Sequence, residues 1–436
     1  MKKVMLLLVL LLSGFVLAAF MDEVQKSLQS DVNYLSAKLS YEEIEFQVKK
    51  DKTMLVPYIG LDRLSISASI SGTDVTYSTS IPVSITFPNV AGFNFSIKNS
   101  WSYHSSLEEW KDSGWTFFVS RDLFSNFDLQ QLEKQKNLFE AAWKLLSVKN
   151  SIFLNVVNDV FNSFYYAKKL NITSRRLQLL NEQVEELRKA YEVGSVAFED
   201  IVSAQKQLQN FTLQLEKLSQ AKFSVSKNYP QTVLDTMMAR LRQMTSKLPS
   251  EQEALETIKA RYDVQASFID LEIAKKQNER SYQTWLPNPT VTAGVTLKEE
   301  KNFSISLGFA LSYNLLDRGE KLHSYKLTQQ KFNLQRAVYE EKLQNLEKAV
   351  RDSYASIKIA EISKAVVELD LELKRMNLDR LNKKKEFVSS RDLETAALDV
   401  EEAELELFKA ELDLLASKLN LLMVLGIDLV EASGGA

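Results

Sequence analysis

Cysteine is missing altogether from the 436 residues. That excludes disulfides, thiolate metal sites and a cysteine-linked lipid anchor. Histidine occurs twice, at His104 and His323, too far apart in the chain to suggest a triad or a histidine-metal centre. No phosphate-cradling glycine motif and no nucleophile motif is present, so no catalytic site, cofactor or metal is expected and the chain does not read as an enzyme. Neither sign of charge dominates. Without Lys2 and Lys3 there are 52 basic and 57 acidic residues, a net charge near −5 that gives no reason to invoke nucleic acid. Beyond the first twenty residues no run of 18 apolar residues occurs, which argues against transmembrane helices.

What is present begins with "MKKVMLLLVLLLSGFVLAAF". Two lysines precede a short apolar run that ends in small residues, with Val16 and Ala18 at cleavage spacing. Residues 1–18 therefore read as a secretory signal peptide. An exported chain of this kind is either soluble or enters a membrane by strands.

The remainder follows one plan twice. The first repeat, 19–227, holds a helix near 22–50, strands over 64–122, a long helix at 126–192 and a return helix at 198–227. A mixed connector covers 228–249. The second repeat, 250–425, opens on a capping box of Ser250 and Glu253 and runs as a helix to 285. Strands at 289–313, a long helix at 318–385 and a return helix at 389–425 follow, and 426–436 is a tail whose "EASGGA" predicts disorder. Asp200 and Asp392 are offset by 192 residues, but Pro57 and Pro287 by 230, so the first strand block is 38 residues longer. Each long helix, at ~67 residues, spans ~100 Å.

Heptads say how the helices pack. Leu177, Leu180, Val184, Leu187 and Tyr191 step by three and four, as do Ile201, Ala204, Leu208, Phe211, Leu215 and Leu218. Leu393, Ala396, Val400, Ala403, Leu407, Ala410, Leu414 and Leu421 repeat the pattern. Val24, Leu28, Val32, Leu35 and Leu39 form a stripe on the first helix. Such series predict knobs-into-holes coiled coils.

The strand blocks alternate instead. Val75, Tyr77, Ile81, Val83, Ile85 and Phe87 share one face; Thr76, Ser78, Ser80 and Ser84 take the other. Phe303, Ile305, Leu307 and Phe309 oppose Ser304 and Ser306. Trp101, Trp110, Trp115 and Trp285 lie in or beside these blocks, as interfacial girdles require. A soluble sandwich with one wet face shares this alternation; the export signal and the missing globular core favour strands in lipid with a polar lumen. One chain offers about four to six strands. Open edges in lipid cost several kcal/mol per unpaired group, so several copies must share one barrel, and a threefold ring is the economical solution.

Three stretches carry a family resemblance: "YEVGSVAFEDIVSAQKQL" from Tyr191, "RYDVQASFIDLEIAKKQNERSYQTWLPNPTVTAG" from Arg261, and "LETAALDVEEAELELFKAELDLLASKLNLLMVLG" from Leu393. In order and spacing the chain resembles the TolC-type outer-membrane efflux proteins over nearly all its mature length. The resemblance implies a mainly α fold with a β-barrel contribution. Long antiparallel coiled coils would form a helical barrel, joined to transmembrane strands in two tandem repeats, as a homotrimer with four strands per copy. It implies residence in outer-membrane lipid, extending into the periplasm. The function implied is passive efflux or type I secretion beside a periplasmic adaptor (a membrane fusion protein) and an inner-membrane pump or translocase. Val193, Gly194 and Ser195 match the adaptor-contact tip, and Asp392, with its counterpart Asp200, matches the acids of the periplasmic aperture. Both aspartates equally suit the first turn of a helix. The second tip departs, with Glu386 in place of glycine after a basic run, Lys383 to Lys385. The 38 extra residues are either an external hairpin or two further strands per copy. A non-conducting spacer between outer membrane and periplasm would share the same signal, rods and strands.

Overall fold

The computed structural model describes residues 19–52, 56–71, 74–89, 91–105, 109–224, 227–297, 303–313 and 317–434. The expected signal, 1–18, lies outside them. The chain divides into two compact units. The first comprises residues up to Ala37, Lys144–Arg261 and Gln344 onward; the second comprises Lys38–Trp143 and Tyr262–Leu343.

The second unit is built around one antiparallel sheet. Its strands are β1 (Tyr58–Leu61), β2 (Ser65–Ser71), β3 (Asp74–Thr86), β4 (Phe93–His104), β5 (Glu109–Asp112), β6 (Trp115–Asp122), β7 (Thr290–Leu297) and β8 (Phe303–Ala310). The path is β1-β3-β4-β6-β7-β8, with β2 also on β3 and β5 also on β4. β1 takes the Val83–Thr86 end of β3 and β2 takes the Asp74–Ser80 end, so the two form one interrupted column. β5 and β6 likewise divide β4 between them. The sheet is thus six columns wide, a meander in which every neighbour is antiparallel. The four strands per copy that the resemblance implies are exceeded, because the excess of the first block is hydrogen-bonded into the same sheet.

Helices begin with α1 (19–30) and α2 (Val32–Lys52). The single first helix expected from the stripe is broken at Asp31, whose carboxylate accepts the Tyr34 N–H at 2.8 Å and starts a new turn. Val24 and Leu28 are buried, whereas Val32, Leu35 and Leu39 are exposed. Next come α3 (Phe127–Glu192) and α4 (Phe198–Ser224), then α5 (Gln231–Met244), which occupies the connector. α6 (Glu251–Thr257) starts on the expected capping box of Ser250 and Glu253. The continuous helix expected from there to 285 is not formed. α6 passes into a 3-10 turn at Ile258–Ala260, Arg261 is extended at φ −60 and ψ 139, and α7 (Tyr262–Glu279) begins anew. α8 (Glu320–Lys383), α9 (Ser390–Val424) and α10 (Leu429–Ala432) complete the order.

In the first unit α9 packs in two directions. Ala396, Ala403, Ala410 and Leu421 of the expected stripe are buried, and Leu421 joins Val350 and Ile357 of α8 in one cluster. A second stripe, Leu398, Leu405, Leu412 and Leu419, is buried as well; Leu398 and Leu405 meet Ile172 and Leu179 of α3. The largest cluster gathers Phe20, Val24 and Leu28 of α1, Phe153, Val156 and Val160 of α3, Met237 and Leu241 of α5, and Leu415 and Leu419 of α9. The tail is structured through its described residues, 426–434, with α10 running into the first two residues of "EASGGA"; the last two, 435–436, lie outside the described residues. Gly426, at φ 76, ends α9 with N–H bonds from Gly426 to Met423 and from Ile427 to Leu422. Leu429 and Val430 then enter the largest cluster, fully buried. Buried Asn150 holds the turn at both ends, donating to the Ile427 carbonyl at 2.8 Å and accepting the Leu429 N–H at 2.9 Å. Lys149 pairs with Asp428 at 2.6 Å beside it. The apolar pair supplies the burial that offsets the entropy of ordering the segment.

Candidate functional site

The sheet has two chemically distinct faces, and the register makes them explicit. Ile59, Ile85, Ile97, Phe117, Val295 and Ile305 are partners in one row across all six columns. The adjoining rows are Tyr58, Thr86, Ser96, Phe118, Gly294 and Ser306 on one side and Gly60, Ser84, Lys98, Thr116, Thr296 and Ser304 on the other. One face is therefore a continuous apolar band and the opposite face is mostly hydroxyl and glycine. Hydroxyls pair across strands, Thr116 with Thr296 at 2.9 Å, Ser67 with Ser78 at 2.6 Å and Ser69 with Thr76 at 2.6 Å. Gly294 leaves space for the Ser306 hydroxyl, which would lie 2.7 Å from an added Cβ. Among the described residues the apolar face is uncovered, with Leu307 82% exposed. Aromatic pairs link β4 to both strands that divide it: Trp101 with Trp115 of β6, edge-on at 6.2 Å, and Tyr103 with Trp110 of β5 at 5.4 Å.

Where strands pass into helices, polar contacts tie the two repeats together. Asp128 on the first turn of α3 receives both guanidinium nitrogens of Arg280, at 2.8 and 2.5 Å. That ion pair holds the Asp128 carboxyl below its usual range. Asn288 accepts the Phe124 N–H at 2.8 Å, and Thr290 donates to Asp122 at 2.6 Å.

At the first helical turn-back, α3 stops in a Schellman motif. Gly194, at φ 74, donates to Tyr191 O at 2.8 Å, and Ser195 N–H reaches Ala190 O at 2.9 Å. The Ser195 hydroxyl donates to the same carbonyl at 2.8 Å. Val193 is 79% exposed at the apex. Asp200 then acts within its own helix, its carboxylate accepting the Ala197 N–H at 3.1 Å ahead of α4. The second turn-back uses other means. Lys385–Phe387 is a 3-10 turn, with Phe387 89% exposed. Ser389 caps α9 by accepting the Asp392 N–H at 3.1 Å. Asp392 is exposed in the first turn. Arg391 beside it pairs with Glu186 of α3. The two expected acids thus occupy equivalent first-turn positions, one engaged in a backbone bond, the other facing solvent.

Behind the tips runs an ion ladder that heptads do not announce. Lys169 of α3 bonds Glu402 at 2.6 Å and Glu406 at 3.0 Å; Arg176 bonds Asp399 at 2.5 Å and Glu402 at 2.8 Å; Arg175 meets Glu401 at 2.8 Å. Burial pushes the Lys169 ammonium down, but the bonds to Glu402 and Glu406 outweigh it and the net shift is upward. For Glu402 burial pushes up, and Lys169 with Arg176 prevails to give a net lowering. The Tyr165 phenol, which donates to Glu406, is pushed up to about 12 by burial and that neighbouring charge.

Among the described residues no cluster of metal-ligating side chains occurs and no helix is long and apolar enough to cross a membrane. The α8 surface carries a further feature. Ile359, Ile362, Val366, Leu369, Leu373 and Met376, spaced three and four apart, are 58–67% exposed.

No family model and no curated relative matches the sequence. Solved structures do match. The Campylobacter jejuni CmeC outer membrane channel aligns over 93% of this chain and 85% of its own, at 12% identity and a TM-score of 0.59. The outer membrane protein VceC of Vibrio cholerae aligns over 94% and 96%, at 15% identity and a TM-score of 0.59. The open state of the Neisseria gonorrhoeae MtrE outer membrane channel aligns over 94% and 89%, at 14% identity and a TM-score of 0.57. The chain has the fold of these channels, long helices joined to a strand domain.

Proposed function

We propose that this chain is a protomer of an outer-membrane duct, three copies of which pass substrates from an inner-membrane pump and its periplasmic adaptor to the exterior. The uncovered apolar surface carries the reading. A sheet with a bare band of isoleucine and phenylalanine on one side and hydroxyls on the other suits lipid outside and water inside. A bare heptad stripe on α8 suits a neighbouring helix. The shared fold with outer membrane channels supports the same reading. The work is passive: selection by bore and charge, with no bond made or broken.

In this reading the first turn-back, at Val193, Gly194 and Ser195, docks the adaptor. The second, with its 3-10 turn and exposed Phe387, presents a different shape and does not substitute for it. Threefold repetition turns Asp392 into a ring of carboxylates at the periplasmic aperture, favouring cations. Asp200 forms the companion ring while also starting α4.

Purified oligomer in planar bilayers tests the proposal. The expected result is a cation-selective conductance. Asp392→Ala should raise that conductance or reduce its selectivity, and adding Asp200→Ala should extend the effect. Trimers that carry no current, wild type and double variant alike, would replace the duct by a structural spacer.

A further inference from the structure

The sheet ends in two open edges, β1 with β2 on one side and β8 on the other. The five pairings along the path between them are all antiparallel, through β3, β4, β6 and β7 in turn. Five reversals separate the first column from the last, so β8 runs opposite to β1. A second copy of the chain can therefore set its β1 beside this β8 in antiparallel pairing without breaking the alternation. An odd number of columns would not permit this.

The first column also belongs to the wall in chemistry. Ile59 and Leu61 of β1 extend the apolar rows of Ile85 and Val83, and Gly60 extends the row of Ser84, Lys98, Thr116, Thr296 and Ser304. The interrupted partner β2 keeps the same alternation against β3, Ile66, Ala68 and Ile70 on one side and Ser67 and Ser69 on the other. A hairpin standing off the wall in water would have no reason to carry Ile59, Leu61, Ile66 and Ile70 bare at 69–76% exposure. In lipid, by contrast, both the bare side chains and the paired backbone are satisfied.

We propose that each copy contributes six columns and that a β1–β8 seam between copies closes the wall, giving eighteen strands in the trimer. The inference rests on the threefold reading above. At equal tilt the circumference scales with strand number, so the wall is about 1.5 times as wide as one built from four columns per copy. The 38-residue excess of the first block is the added up-and-down pair. The occupant of each open edge is another copy of this chain.

The absence of native cysteine makes the seam directly testable. Gly60→Cys on β1 is combined singly with Ser304→Cys, Ser306→Cys or Gly308→Cys on β8, and membranes are oxidised. The expected result is at least one pair that yields covalent dimers and trimers on non-reducing gels. Ser96→Cys on β4, combined with the same β8 positions, should yield none. Cross-linking of β8 to β4 instead would overturn the proposal, since it places the first two columns outside the wall. Persisting trimers with no β1–β8 product would overturn it equally. Imaging of the unmodified protein in lipid discs gives the independent count. Eighteen strands with threefold symmetry is expected; twelve with threefold symmetry rejects the six-column wall and leaves the duct standing. Twelve with twofold symmetry rejects the threefold reading itself.

Discussion

At the scale of residues, the two turn-backs show how one backbone problem is solved twice. Gly194 sits at φ 74 with nothing within 4 Å of where a Cβ would be, so its constraint is purely conformational. Gly194→Val should cost about 1–2 kcal/mol locally, Gly194→Asn distinctly less, because asparagine tolerates left-handed backbone. Hydrogen exchange of amides 190–200 checks this: faster exchange in the valine variant, near wild-type exchange in the asparagine variant. The ion ladder gives a pH dependence with a definite sign. Glu402 is lowered in the folded chain, so its contribution is complete above the ordinary glutamate value of 4.5 and is lost as pH falls through the folded value. Lys169 is raised, so its contribution is complete below the ordinary lysine value of 10.5 and is lost as pH rises through its folded value. Glu402→Gln should therefore lower the melting temperature at pH 7, with the difference from wild type closing as pH drops through the folded Glu402 value. First-turn acids at Asp200 and Asp392 were legible as residues. The ladder was not, since reading it requires knowing that α3 and α9 face each other.

At the scale of elements, exposure separates the surfaces that fold the chain from those that the proposed assembly would use. Leu398 is fully buried against α3, and Leu398→Ala should destabilise the chain by about 2–5 kcal/mol, seen in denaturant unfolding. Val366 is 60% exposed on α8, and Val366→Glu should leave helicity by circular dichroism unchanged while shifting native mass from oligomer to single chain. Strand alternation was plain in the sequence where a strand has one hydroxyl and one apolar face, as Phe303, Ile305, Leu307 and Phe309 against Ser304 and Ser306 show. α9 was only half legible: burial of Leu398, Leu405, Leu412 and Leu419 beside Ala396, Ala403 and Ala410 makes it apolar on two sides, and a single stripe no longer describes it. The break at Arg261 carries no proline or glycine to announce it, and the docking of Leu429 and Val430 depends on partners more than 250 residues earlier, such as Asn150.

At the scale of the whole molecule, the single chain is incomplete in three respects that share one remedy. Its sheet has two open edges, its apolar band has no cover, and its α8 stripe has no partner among the described residues. In the proposed assembly, copies arranged about an axis would supply all three: strands for the edges, helices for the stripe, and a closed wall whose outer face would meet lipid. Six columns per copy follow from the register of the sheet, whereas the number of copies belongs to the assembly. The most direct test is an image, without imposed symmetry, of the protein extracted from its membrane into lipid discs. The account predicts three copies around a continuous water-filled passage that runs through the strand wall and the helical coiled coils. A single chain whose sheet curls shut on itself, with no passage through the particle, would contradict it.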